Sequence, residues 1–306
     1  MRQQFKKTVL QLAEEDDRLV LLFGDISVFL FNDFSQKYPE RLLNIGICEN
    51  TLISMAAGMS ATGYRPVVHT ITPFVTERSY EQVKLDLCYN RFGCTIVTVG
   101  GSFDYAWDGA THHCYTDLEL MRMLPGMEVM QPGSKKEFDI LFRACYKNGS
   151  PSYIRIAADG HGLDLPCEFG KGIIVQETKG AEVTVITSGP ILGNVAEACS
   201  GLPVNILYFP TIKPLDVSLL RKFDDTDLIV VHDAFGLFEA ITAAGGVKAA
   251  YHGLPDEFCC YYGALDDIRR EIGLDPAGIR NAVLEYSGCS EAPARRAGPH
   301  KIVKVN

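Results

Sequence analysis

Gly46-Ile47-Cys48-Glu49-Asn50 is the point where two patterns in the chain meet. Before it, the apolar run Leu42-Leu43-Asn44-Ile45-Gly46-Ile47 reads as a short buried strand. After it, Leu52, Ile53, Met55, Ala56 and Met59 recur at helical spacing. Glu49 therefore stands at a strand-to-helix junction. In open α/β sheets, ligands bind in the crevice outside the carboxyl ends of the strands. An acidic residue at a helix start also has an ordinary reason to be there, because the helix macrodipole favours it. Its neighbours decide between the two.

Outward from this junction, strands and helices alternate. Residues 2–18 carry Phe5, Val9, Leu10 and Leu12 at a helical period, and Leu19 to Phe23 reads as a buried strand ending in Gly24-Asp25. Val28-Phe29-Leu30-Phe31 is unusually apolar for a loop, and Asp33 to Tyr38 reads as a short helix stopped by Pro39. Pro66 to Ile71 predicts a strand and Phe74 to Tyr89 a helix. Thr95 to Val99 predicts a strand, Asp117 to Met123 a helix, Glu128 to Met130 a strand, Lys135 to Lys147 a helix and Tyr153 to Ile156 a strand. Alternation of this kind implies a mostly parallel sheet with helices on both faces.

Residues 161–182 read as a linker, with a small hairpin around Phe169 to Thr178. A second alternating unit follows, with strands at Val183 to Thr187, Asn205 to Phe209, Leu228 to Val231 and Phe258 to Tyr261. Residues 287–306 read as a loosely attached tail. The expected fold class is α/β: two doubly wound domains, residues 1–160 and 183–306, joined by 161–182.

The chain has 306 residues, which suggests about two domains. Hydrophobic residues make up 47% and charged residues 22%, enough for a packed core. The net charge of −9, with no basic cluster, argues against nucleic acid and anionic membranes. The longest apolar runs are too short to span a bilayer, and the first residues lack the apolar core of a signal peptide. A cytoplasmic location is the expectation. Ten cysteines without a C-x-x-C pair read as buried thiols in a chain of this size, and a reactive thiol at Cys48 or Cys114, which flank the candidate segments, is the other reading.

Two further segments give Glu49 its context. One is Thr70-Ile71-Thr72-Pro73-Phe74-Val75-Thr76-Glu77-Arg78-Ser79-Tyr80-Glu81-Gln82, and the other is Asp108-Gly109-Ala110-Thr111-His112-His113. With Gly46 to Asn50 and Ala56-Ala57-Gly58, in this order and spacing, they resemble the pyrimidine-binding domain of transketolases. The likeness is strongest to the separate C-terminal subunit of split transketolases. It covers roughly residues 1–160 and continues more weakly to about residue 285.

The resemblance implies thiamine diphosphate as cofactor and transfer of a two-carbon ketol unit from a ketose to an aldose. The cofactor's thiazolium must lose its C2 proton. A carboxyl group against N1′ of the aminopyrimidine promotes the imino tautomer that accepts that proton, and such a carboxyl needs a secluded site. The cofactor carries the carbanion chemistry and the protein orients it.

By resemblance, Glu49 is that carboxyl. Phe74 packs on the pyrimidine, Ile47 offers its backbone, and Asp25 lies near the cofactor. His112 contacts the ketose hydroxyls, Asp108 reads an acceptor hydroxyl, and His113 belongs to the same substrate region. Each has a plain reading beside this one: Phe74 as core packing, Gly24-Asp25 as a turn, a lone histidine as a structural side chain.

Thiamine enzymes bind the diphosphate through Mg²⁺ or Ca²⁺ held by a Gly-Asp-Gly motif and a later asparagine, and magnesium favours such oxygen ligands. Gly24-Asp25-Ile26 with Asn50 imitates that motif but lacks the last glycine. The resemblance therefore implies a partner: the N-terminal transketolase subunit with the diphosphate domain, which would hold most of the metal, in an α2β2 heterotetramer. The substrates would be small sugars.

The second domain shows His232-Asp233-Ala234-Phe235-Gly236-Leu237, where the family often has an acidic pair followed by histidine. That domain is expected to be structural, with His232 at a strand end on the subunit interface. Few Arg, Ser or His residues appear in the loops where the family holds an acceptor phosphate. Phe103, Tyr105 and Trp107 alternate before Asp108 and would share one side of a channel. That favours an acceptor with a stacking group, and packing against the partner is the other reading.

Two alternatives remain at this stage. One is the β-subunit of a 2-oxo acid dehydrogenase, which shares the pyrimidine domain but differs in the histidine segment. The other is a non-catalytic doubly wound binding module, since fold alone does not specify function. A dinucleotide site is disfavoured because no G-x-G-x-x-G follows the first strand.

Overall fold

A computed structural model describes residues 1–245, 247–260 and 262–288. Among the described residues, twelve strands form two sheets. The first contains β1 (Leu19–Phe23), β2 (Leu42–Asn44), β3 (Arg65–Ile71), β4 (Thr95–Val99), β5 (Glu128–Met130) and β6 (Ser152–Arg155), together with β10 (Thr211–Lys213). Its order is β10-β5-β6-β4-β3-β1-β2. All pairings are parallel except β10 with β5. The second contains β7 (Ile173–Gln176), β8 (Val183–Thr187), β9 (Val204–Tyr208), β11 (Asp227–Val231) and β12 (Ala249–His252), in the order β12-β11-β8-β9-β7. Only its edge strand β7 runs antiparallel. This is the expected α/β class, two doubly wound sheets, each with one antiparallel edge strand.

The central strands β1 and β4 are buried at every position, as suits strands covered on both faces, whereas β2, expected as a buried strand over 42–47, is a three-residue edge strand that is only partly buried. On one face Phe5, Phe31, Phe138 and Phe142 pack with Leu21, Phe23 and Val97. On the other, Leu52, Ile53 and Leu87 cover Leu22, Val68 and Ile96, and this cluster continues into Phe209, Ile212 and Val230 of the second unit. The helix Lys135–Asn148 starts on Ser134, whose hydroxyl accepts the Glu137 N–H, and stops at Gly149 with φ 72°.

Several expectations are corrected. The helix expected over 74–89 is broken into Thr72–Thr76, Tyr80–Gln82 and a π-helical Val83–Tyr89. Hydroxyl groups compete with the backbone there: Thr76 Oγ1 donates to the Thr72 carbonyl and Ser79 Oγ to the Phe74 carbonyl. The expected hairpin near 169–178 is a single strand, β7, because the chain pairs with the edge of β9 instead of with itself. The fourth strand of the second unit is Ala249–His252, parallel to β11, and not Phe258 to Tyr261. Phe258 is 80% exposed and Tyr261 lies outside the described residues. Of the tail expected at 287–306, everything from 289 on also lies outside them. Among the described residues, no helix is long and apolar enough to cross a membrane.

His232 is corrected as well. It is fully buried between the two sheets of this chain, with Nδ1 2.7 Å from the Ala234 carbonyl and Nε2 2.7 Å from the Gln131 side-chain amide. It belongs to an internal domain contact and not to a subunit interface.

Candidate active site

The carboxyl ends of β1, β2, β3 and β4 come together along one edge of the first sheet. Gly24-Asp25 follows β1, Glu49 follows β2, Thr72 follows β3 and Gly100 follows β4. Gly46, at φ 77°, turns the chain after β2. Glu49 is the first residue of the helix Glu49–Ala61 and is only 1% exposed. A buried carboxylate is costly unless it is paired. Its Oε2 accepts from Arg78 Nη1 at 2.8 Å. The Arg78 guanidinium carbon in turn lies 4.7 Å from the centroid of the Phe74 ring.

From Phe74 the cluster continues. The His112 ring meets Phe74 edge to face, with centroids 5.2 Å apart, and Tyr105 meets His112 at 6.1 Å. Arg2 Nη2 donates to the Tyr105 hydroxyl at 2.6 Å. Thr111 Oγ1 lies 2.9 Å from His112 Nδ1 and fixes the ring's orientation. Three residues singled out in sequence, Glu49, Phe74 and His112, thus meet in one cluster. Arg78, Tyr105 and Arg2 join them without having been assigned to it. Arg78 carried a signal, since it lies four residues after Phe74, the spacing at which helical side chains meet. The long-range bond of Arg2 to Tyr105 left no local trace.

The other named residues are held differently. Asp25 is exposed, with φ 57°, and its carboxylate accepts from Asn44 Nδ2 at 2.9 Å. Ile47 is 68% exposed. Asp108 lies on the exposed 3₁₀ turn Ala106–Thr111. His113 is buried, with Nε2 3.2 Å from the Ala106 carbonyl and its ring edge-on to Phe103. The imitation metal motif does not assemble: Asp25 is tied to Asn44, while Asn50 Nδ2 donates to the Arg78 carbonyl and to Gln82 Oε1. Among the described residues, no group of three or more His, Cys, Asp or Glu is placed to hold a metal ion.

The shared aromatic wall is corrected. Phe103 is 1% exposed and packs in the core, Tyr105 is tied to Arg2, and Trp107 is 70% exposed. Residues 103–105 form a turn that runs into the 3₁₀ helix Ala106–Thr111, so the period of two does not put the rings on one side. Cys114 is fully buried, and burial pushes its thiol well up, the opposite of a reactive thiolate.

Comparison with known proteins identifies the family. The family model described as transketolase, pyrimidine binding domain, matches residues 1–158. One subunit of the apulose-4-phosphate transketolase of Phocaeicola vulgatus is 30% identical over 93% of this chain and 96% of its own. The 1-deoxy-D-xylulose-5-phosphate synthase of Oleidesulfovibrio alaskensis is 30% identical over 94% of this chain but 48% of its own, so the chain spans about half of that relative.

Among solved structures, a split gene transketolase described as an inactive beta4 tetramer superposes with a TM-score of 0.81. It covers 94% of this chain and 97% of its own, at 24% identity. The transketolase of Campylobacter jejuni gives 0.78 at 16% identity, over 92% of this chain and 46% of its own. These two likenesses bear on the fold alone. The chain belongs to the transketolase family, as a counterpart of the C-terminal subunit of split transketolases.

Proposed function

We propose that this chain is one half of a thiamine diphosphate-dependent transketolase and moves a two-carbon ketol unit from a ketose to an aldose only when joined to a subunit with the diphosphate domain. The observation that carries this reading is Glu49, buried at the carboxyl edge of the sheet beside the half-buried ring of Phe74. Between them lies a planar group with in-plane N–H donors, the Arg78 guanidinium. An aminopyrimidine makes the same demands, a flat face to stack on and a carboxyl at its edge, so these residues fit the cofactor's ring.

When bound, the cofactor supplies the nucleophilic carbon. Glu49 would hold a proton at N1′ of the ring, and its seclusion keeps water from competing for it. Phe74 would cover the ring face, and the backbone of Ile47 would border it. His112, oriented by Thr111, would stand where the ketose hydroxyls arrive, with Asp108 on the acceptor side. Asp25 and His113 are proposed to shape the surroundings. The diphosphate and its Mg²⁺ or Ca²⁺ would fall to the partner, since Asp25 and Asn50 are engaged elsewhere. The division of the chain at 160 and 182, the α2β2 assembly and the cytoplasmic location belong to the same proposal.

The test is calorimetry with thiamine diphosphate and Mg²⁺, on this chain alone and on the pair. Binding is expected only in the pair, and micromolar binding by the lone chain would count against the divided site. Activity should then be scored as ketol transfer against decarboxylation of a 2-oxo acid. The second arm matters because a 2-oxo acid dehydrogenase β-subunit would share the pyrimidine domain. Turnover of 2-oxo acids alone would overturn the transketolase reading.

A further inference from the structure

The Arg78 guanidinium makes the two contacts that the site would offer a pyrimidine ring. Nη1 donates to Glu49 Oε2 at 2.8 Å, and the guanidinium lies over the Phe74 ring, 4.7 Å from its centroid. A guanidinium is planar, delocalised and rich in in-plane donors, so it stacks on aromatic faces and forks onto carboxylates. An aminopyrimidine shares that flatness and edge chemistry. The burial of the pair is one-sided: the Glu49 side chain is 1% exposed and that of Arg78 is 47% exposed. Glu49 is fixed inside at its helix start. Arg78 stands on the turn between Thr72–Thr76 and Tyr80–Gln82, with solvent behind it.

We infer that Arg78 is an internal stand-in for the cofactor's aminopyrimidine, filling its place on Glu49 and Phe74 until the ring arrives and turns it out. This inference rests on the functional reading above. In the chain without cofactor, Arg78 neutralises a carboxylate that would otherwise be buried without a partner. Because its outer side is screened by water, displacement outward is inexpensive. The ring and the guanidinium compete for one carboxylate and one aromatic face. Apparent cofactor affinity is therefore reduced by the fraction of molecules in which Arg78 occupies the place.

The experiment measures thiamine diphosphate binding by calorimetry on the complex of this chain with its co-purified partner subunit, as wild type, Arg78→Ala and Arg78→Gln. The thermal midpoint of each lone chain is recorded alongside. Both variants should bind more tightly, by about tenfold if the ring-accepting arrangement is about a tenth of the wild-type population. The lone Arg78→Ala chain should melt lower than wild type, because Glu49 loses its partner. Arg78→Gln retains a donor for Glu49 without the charge or the stack, so it stays measurable if the alanine variant folds poorly. Weaker or unchanged binding in both variants, with wild-type binding intact, would overturn the stand-in and leave the functional reading standing. Absence of binding in wild type and variants alike would remove both.

Discussion

Arg155 reaches Asp233 across the boundary between the two sheets, at 3.3 Å, while holding Asp117 at 2.9 Å on its own side. All three side chains are at most 7% exposed. Tyr153 donates its hydroxyl to Asp117 at 2.6 Å, and Ser102 Oγ donates to the Asp233 carbonyl at 2.7 Å. One strand-end guanidinium thus links the sheet that carries the candidate site to the second unit. Arg155→Met would leave the buried Asp117 without its counter-charge, while Asp233 would keep only Arg269, 3.8 Å away. Removing one partner of a buried pair costs about 3–5 kcal/mol. Urea denaturation of the lone chain should show a loss of that order, and a loss under about 1 kcal/mol would show that the link carries little of the stability.

How far the sequence foretold this molecule depends on the range of the interactions. The strand-to-helix junction at Glu49 is written locally, in an apolar run, a turning glycine and a helical period. The core strands β1 and β4 are legible for the same reason. The break after Thr76 is not, because it depends on hydroxyl groups turning back onto particular carbonyls. Nor is the place of His232, whose partner Gln131 is 101 residues away. The alternation of Phe103, Tyr105 and Trp107 looks like a strand, yet the chain turns there. Tertiary contacts decided each of these cases, sending Phe103 into the core and tying Tyr105 to Arg2.

Glu49 should matter for chemistry more than for folding. Glu49→Gln preserves shape and a hydrogen bond toward Arg78 but cannot exchange a proton with the ring nitrogen. General acid–base groups contribute about 10²–10⁴-fold. Deuterium exchange at C2 of bound thiamine diphosphate, measured in the assembled pair, should slow by a factor in that range. Exchange at the wild-type rate would remove Glu49 from its proposed role.

Acidification should weaken the chain in a definite window. Burial lowers His69 and His232 to about 4 from an ordinary 6.5. Between those values the unfolded chain binds protons that the folded chain refuses, so stability falls as pH drops from 6.5 toward 4. Asp104 acts the other way: burial raises it to about 6 from 3.8, so the folded chain holds its extra proton there and loses stability as pH rises through that range. The two histidines outweigh the aspartate, so stability should fall from pH 6 to pH 5. Denaturation midpoints at pH 5 and 6 should differ accordingly. In His232→Gln the histidine and the aspartate that remain nearly cancel, and the two midpoints should come together.

Large apolar side chains stand unpacked around the candidate site. Phe29 is 89% exposed, Ile47 68% and Trp107 70%. They follow β1, β2 and β4, so all three lie on connections at the carboxyl edge of the first sheet, Phe29 and Trp107 on 3₁₀ turns. Exposed apolar groups on the edge that carries a site suit a surface that something covers. Trp107 lies on an exposed 3₁₀ turn, so its removal should leave the stability of the lone chain within about 0.5 kcal/mol. If the surface receives the subunit with the diphosphate domain, Trp107 is placed as an aromatic anchor. Truncating such an anchor costs about 2 kcal/mol or more, roughly thirtyfold in Kd. Trp107→Ala should therefore weaken assembly of the pair, followed by sedimentation or by titration of activity with the partner. Once saturated with partner, the variant should keep the wild-type KM for its aldose acceptor. If Trp107 stacks on the acceptor instead, the two readouts exchange: assembly stays at wild-type strength and the acceptor KM rises.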